Sequence, residues 1–127
     1  LEFRSVLFRS GGPNYANNVG IQLTSTLSST ITGNACQNNI VSIASDSSSG
    51  VNTITGNSIF NTSGQSAASQ IQIAGYRHTI SSNACDGSRT YAIELYSGSN
   101  YNLVIGNTTN TGTIQDSGSA NQVVSNI

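Results

Sequence analysis

Few residues in this 127-residue chain could act as acid, base or metal ligand. Beyond the first ten residues the carboxylates are Asp46, Asp86, Glu94 and Asp116. Glycoside hydrolysis usually requires two such groups about 5 to 9.5 Å apart, and these four are scattered along the chain. Arg77 and His78 form the one His–Arg pair in the sequence, and we read it as a surface feature. Cys36 and Cys85 belong to no Cys-x-x-Cys motif, and one His is too few for a zinc site. The sequence therefore predicts no catalytic residue, no metal and no cofactor. Binding chemistry is better represented. Tyr76, Arg77, Arg89, Tyr91 and Tyr96 supply aromatic faces and planar guanidinium groups, Asp46 and Glu94 supply acceptors, and Gln72 supplies an amide. Sugar rings and hydroxyls are recognised by groups of these types.

A repeat must position these residues. Thr30-Ile31-Thr32-Gly33-Asn34 recurs unchanged as Thr53-Ile54-Thr55-Gly56-Asn57. Looser copies end at Asn83, Asn107 and Asn126, so the steps are 23, 26, 24 and 19 residues. A period in the twenties marks a solenoid whose coils stack on one another. Between these asparagines an apolar-x-apolar motif recurs as Ile21-Gln22-Leu23, Val41-Ser42-Ile43, Ile71-Gln72-Ile73 and Ile93-Glu94-Leu95, with a degenerate copy at Ile114-Gln115-Asp116. That alternation predicts short strands with one face buried. Another short strand is predicted just after each Asn, as in Ser58-Ile59-Phe60, and helical spacing is absent. Ile31, Ile54, Ile80 and either Leu103 or Val104 should line the interior. A β-sandwich is the other fold that short, evenly spaced strands describe; the unchanged pentapeptide favours the solenoid.

The Asn-marked period resembles the right-handed parallel β-helix of the pectin-lyase-like superfamily, the fold of pectate lyases, polygalacturonases and many phage tailspikes. The resemblance covers roughly residues 20–127. It implies an all-β solenoid of about five coils, with Asn at the corner between the second and third strands of each coil and a ladder of stacked Asn side chains. Asn suits such a corner because it tolerates left-handed backbone and its amide satisfies turn groups. The resemblance also implies polysaccharide along the outer face of the first strand of each coil. By column that face would carry Gln22, Ser42, Gln72, Glu94 and Gln115, flanked by Asp46, Tyr76, Arg77, His78, Arg89, Tyr91 and Tyr96. The family's clustered aspartates with Gly-His-Gly and Arg-x-Lys are missing, as is an acidic calcium-binding cluster. The chain would thus be part of an extracellular or virion protein whose parent is a polysaccharide lyase, a glycoside hydrolase or a tailspike-like binder. The alternative is a structural stalk or adhesin segment with no ligand of its own.

Composition fits this reading. Ser, Thr, Asn and Gly make up 64 residues, yet the apolar residues recur in register, so the polar ones read as corners and outward faces. The chain has no Lys, which argues against a nucleic-acid surface. No apolar run reaches the length of a membrane span.

Residues 1–10, Leu-Glu-Phe-Arg-Ser-Val-Leu-Phe-Arg-Ser, fall outside the pattern and resemble a translated sequencing adapter; the other reading is a genuine basic amphipathic strand. The expected organisation is a non-native leader at 1–10 and a β-helix domain at 11–127, truncated at its N-terminal side. Without the leader the formal charge is −2, from Arg77 and Arg89 against the four carboxylates. Cys36 and Cys85 each follow a corner Asn by two residues, with Ile59 in the same place one coil between them, and are expected to be buried free thiols. Asp86 and Arg89 are read as an ion pair in a return loop. Of two glycosylation sequons, Asn107 should be inaccessible and Asn61 should sit in a return loop. An uncovered edge at 20–23 would support edge-to-edge self-association or a homotrimer.

Overall fold

The computed structural model describes residues 2–4, 7–9, 19–61, 69–87, 90–110 and 112–127, with side chains from residue 19 onward. All regular elements among them are β-strands, and every strand pairing is parallel. The chain is a parallel β-solenoid. Its first complete coil holds Val19–Leu23 (β3), Thr30–Thr32 (β4) and Ala35–Gln37 (β5). The second holds Val41–Ser45 (β6), Thr53–Thr55 (β7) and Ser58–Asn61 (β8). The third holds Ser69–Ile73 (β9), Thr79–Ser81 (β10) and Ala84–Gly87 (β11). The fourth holds Tyr91–Leu95 (β12), Leu103–Ile105 (β13) and Thr108–Thr109 (β14), and Thr113–Asp116 (β15) and Gln122–Val124 (β16) begin a fifth. Strands of equal rank stack into three sheets, each running the length of the rod.

The N-terminal residues join the stack. Their backbone at Glu2–Arg4 (β1) and Leu7–Arg9 (β2) pairs with β4 and β5.

The core is a set of apolar columns. Ile31, Ile54, Ile80 and Val104 are in register and fully buried, so Val104 takes the place for which Leu103 was the other candidate. Ile21, Ile43, Ile71 and Ile93 form a second buried column. Cys36, Ile59 and Cys85 form a third, and both thiols are free as expected. Each such side chain buried in stacked coils contributes roughly 1.5–3 kcal/mol. Burial alone pushes the Cys36 thiol up to about 11 and is the main reason Cys85 rises to about 12, so both stay protonated at neutral pH.

Two polar ladders close the corners. In the first, Asn34, Asn57, Asn83, Asn107 and Asn126 stack. Asn57, Asn83, Asn107 and Asn126 each accept at Oδ1 from both the backbone N–H and the Nδ2–H of the preceding Asn, at 2.9 to 3.1 Å. Asn57, Asn83 and Asn107 each return an Nδ2–H to a core Ile carbonyl at 3.0 Å. Buried polar groups in a turn are thereby paired rather than left to lose solvation. The left-handed residue is not the Asn, as expected, but its predecessor: Gly33, Gly56, Ser82, Gly106 and Ser125 have φ of 50 to 67°. That explains the Gly of the pentapeptide, since Gly enters this region without a Cβ clash.

The second ladder has no counterpart in the sequence reading. Ser29 donates its backbone N–H to Asn52 Oδ1 at 2.8 Å, Asn52 to His78 Nδ1 at 3.2 Å, His78 to Asn102 Oδ1 at 2.8 Å, and Asn102 to Asn121 Oδ1 at 2.9 Å. Its members lie five residues before the first ladder's. Here too the preceding residue is left-handed: Ser28, Val51, Arg77, Tyr101 and Ala120.

Three expectations are corrected. His78 is not a surface residue; it is 1% exposed and fills a ladder slot. Asn61 ends β8 and is buried, so that sequon is not in an accessible return loop. Asp86 lies in β11 opposite Phe60 rather than in a loop, and the proposed partner Arg89 is outside the described residues.

Candidate functional site: the outer face of the first-strand sheet

The sheet of β3, β6, β9, β12 and β15 turns alternate residues outward. Its register aligns Gln22, Ala44, Gln72, Glu94 and Gln115 in one row. Ser42 does not belong to this row; it is two residues earlier in β6 and fully buried. The apolar-x-apolar motif misled at this coil because the inward places are filled by Ile43 and Ser45, and Val41-Ser42-Ile43 offered a better apolar pattern one frame upstream. Backbone bonds carry the register onward, from Asp46 N to Leu23 O, Ala74 N to Ser45 O, Tyr96 N to Ile73 O and Ser117 N to Leu95 O. A second outward row therefore holds Thr24, Asp46, Ala74, Tyr96 and Ser117.

Glu94 is the centre of this face. Ser69 donates its hydroxyl to Glu94 Oε2 at 2.7 Å and accepts from Gln72 Nε2 at 2.8 Å. Because a carboxylate only accepts, the hydroxyl direction is fixed, and with it the orientation of the Gln72 amide. Tyr96 lies two residues on, on the same face. Burial and, secondarily, the Glu94 charge push its phenol above the ordinary value. Ser69 was not among the residues expected at the site. It stands at the start of the strand, in register with Tyr91, and only the cross-strand hydrogen bond reveals it.

Asp46 is on the same face but does turn work. Its carboxylate accepts from the backbone N–H of Ser25 and Ser48 and from the Ser49 hydroxyl at 2.8 Å. The Ser49 hydroxyl bond leads in holding Asp46 below its usual value. Ala74 separates Asp46 from Tyr96 along the row, which puts Asp46 and Glu94 two coils apart.

No family model matches the chain, and neither a curated protein nor a solved structure matches it.

Tyr76 and Arg77 are not on this face. Tyr76 bridges Gly50 and Asn100 at the next corner, with its ring lying on Gly50, where an added Cβ would meet ring carbons at 2.5 to 2.9 Å. Arg77 is the exposed left-handed residue beside it, in the row of Val51 and Tyr101. The expected site thus divides in three: Gln72, Glu94 and Tyr96 come together, Asp46 caps a bend, and Tyr76 with Arg77 forms a corner ridge.

No cavity is found among the described residues. Asp116 occupies the inward column in register with Leu95, yet is exposed. It accepts from Gly118 N and Asn121 Nδ2. The described carboxylates therefore form no acid–base pair, and no cluster of metal-ligating side chains is found among the described residues. No helix among them is long and apolar enough to cross a membrane.

Proposed function

We propose that this chain is part of an extracellular or virion β-helix protein, of the right-handed pectin-lyase-like or tailspike-like kind. In this reading it engages polysaccharide along the outer face of its first-strand sheet. The observation that supports this best is the Gln72–Ser69–Glu94 hydrogen-bonded chain, with Tyr96 beside it. It presents a fixed carboxylate next to an aromatic ring on an exposed, extended surface, which suits a polymer more than a small ligand. A hydrolytic or eliminative parent would draw its catalytic groups from elsewhere. Self-association through the β3 edge, or a homotrimer, is compatible with the same face remaining open.

The second reading is a structural stalk or adhesin segment, favoured by the lack of a cavity among the described residues. A glycan array probed with the folded chain separates the two. Binding weakened by Glu94→Gln and by Tyr96→Ala supports polysaccharide engagement on this face. Absence of binding to neutral and acidic polysaccharides alike leaves the stalk.

A further inference from the structure

We propose that the outer face of the sheet built from β4, β7, β10 and β13 binds ice, laying a repeating, uncharged array of threonine hydroxyl and methyl groups against a crystalline water surface. This face is separate from the first-strand face, and the proposal does not rest on the glycan reading.

Each of these strands buries its central residue and turns the two flanking residues outward. The register puts Thr30, Thr53 and Thr79 in one row and Thr32, Thr55 and Ser81 in a second. Leu103 and Ile105 continue the two rows in the fourth coil. Glu2 and Arg4 hold the register places before Thr30 and Thr32, so the uncharged array begins at β4. The core requires only the central Ile of Thr-Ile-Thr, and the corner only the Gly and Asn that follow. The outward threonines repeat all the same. Outward places elsewhere do not: Gln37, Phe60 and Asp86 share a row of the third-strand sheet, and the first-strand rows mix amide, carboxylate, phenol and Ala. Strand propensity favours Thr on any sheet surface, so it does not by itself account for threonines concentrated on this one.

The hydroxyls of Thr30, Thr32, Thr53 and Thr79 make no hydrogen bond among the described residues and are left to water. The Ser81 hydroxyl donates to Thr55 Oγ1 at 3.1 Å, across one coil. Neighbouring coils lie about 4.8 Å apart, and outward residues two apart on a strand about 6.6 Å apart. Hexagonal ice repeats its oxygens at closely similar spacings along its a and c axes. Hydroxyls on this grid hold the first water layer near ice positions, and the methyl groups between them leave those waters to bond with one another. Threonine is stiff at χ1, so little side-chain freedom is lost on contact. A charged group would lose hydration at the crystal surface, which sets the first-strand face, with Asp46 and Glu94, apart from this one.

The test grows ice slowly on a cold probe from a solution of the folded full chain and albumin, and compares the share of each protein taken into the ice. The chain should be enriched in the ice over albumin. Thr55→Lys, in the middle of the array, should lose the enrichment. Thr55→Tyr, a strand-favouring residue whose ring stands above the grid, should lose it as well. Ser58→Lys, exposed on the third-strand sheet, should keep it. Circular dichroism melts establish that each variant is folded. Wild type taken up no more than albumin overturns the proposal and leaves the glycan reading untouched. Enrichment kept by a folded Thr55→Lys or Thr55→Tyr, or lost by a folded Ser58→Lys, overturns it by moving the contact to another face.

Discussion

Asn52 donates its backbone N–H to Nδ1 of His78, 3.2 Å away, at a ladder position that three other coils fill with Asn and one with Ser. Nδ1 can accept only while unprotonated, so the folded chain holds His78 as the neutral imidazole with its proton on Nε2. Nε2 is directed toward the Ser49 carbonyl without closing a hydrogen bond. Burial pushes the imidazole from its ordinary 6.5 down to about 4, against a smaller opposing effect of the Ser49 carbonyl.

The pH dependence follows with a definite sign. Between about 4 and 6.5 the unfolded chain binds a proton at His78 that the folded chain does not. Stability is then full above pH 6.5 and falls as the pH drops toward 4, by up to about 3 kcal/mol. Asp46, lowered chiefly by its Ser49 bond, gives a further loss only below its ordinary 3.8. Urea denaturation at stepped pH measures this. His78→Asn restores the usual ladder residue and should flatten the profile between 6.5 and 4; a slope unchanged by the substitution refutes the assignment.

Asn57→Leu should cost about 3 kcal/mol or more. It leaves the Asn34 N–H and the Ile31 carbonyl without their partner in a buried corner, each at about 1–3 kcal/mol before relaxation, and takes one of two donors from Asn83 Oδ1. Equilibrium denaturation against the wild type gives the difference. A change within 0.5 kcal/mol, on the order of an exposed substitution, would mean the ladder is not formed.

Val51 is a β-branched residue at φ 58°, about half exposed. Left-handed backbone disfavours such a side chain strongly, while Gly enters freely. Val51→Gly should therefore stabilise the chain by about 1 kcal/mol, and Gly56→Val, at φ 63°, should destabilise it by a similar or larger amount. Thermal melts of the two variants should move in opposite directions.

How far the sequence revealed all this depends on the kind of residue. Ile31, Ile54, Ile80 and the Asn three positions after each were readable because one residue type fills one place in successive coils. His78 was not, because a ladder slot asks only for an acceptor atom at the right depth, and imidazole meets that as well as an amide. The left-handed corners at Val51, Arg77 and Tyr101 were hidden for the opposite reason: local preference argues against them, and stacking overrides it. At the site, Gln72 beside Glu94 could be read from the apolar residues flanking each. Ser69 could not, since its part depends on a bond between strands. Ser42 was misplaced because Ser45 holds an inward place that hydropathy assigns to an apolar residue.

The chain should show no hydrolase or lyase activity on pectin, polygalacturonate or neutral glycans. Asp46 and Glu94 lie two coils apart, roughly 9.6 Å along the axis, beyond the separation that either glycosidase geometry uses. Asp46 is also engaged in its bend. A reducing-end assay and an unsaturated-uronide assay check this. Turnover abolished by Glu94→Gln would make Glu94 catalytic.

The outer face is set by the stacking register that places Gln72 against Glu94. Oxidising the double variant Gln72→Cys/Glu94→Cys measures it directly. Parallel neighbours lie about 4.8 Å apart, within reach of a disulfide, whereas the control Ala44→Cys/Glu94→Cys spans two strand spacings, about 9.6 Å. The account predicts a rapid intramolecular disulfide in the first and none in the second, with Cys36 and Cys85 remaining free in both. A disulfide in the control pair, or none in the first pair of a folded variant, would contradict it.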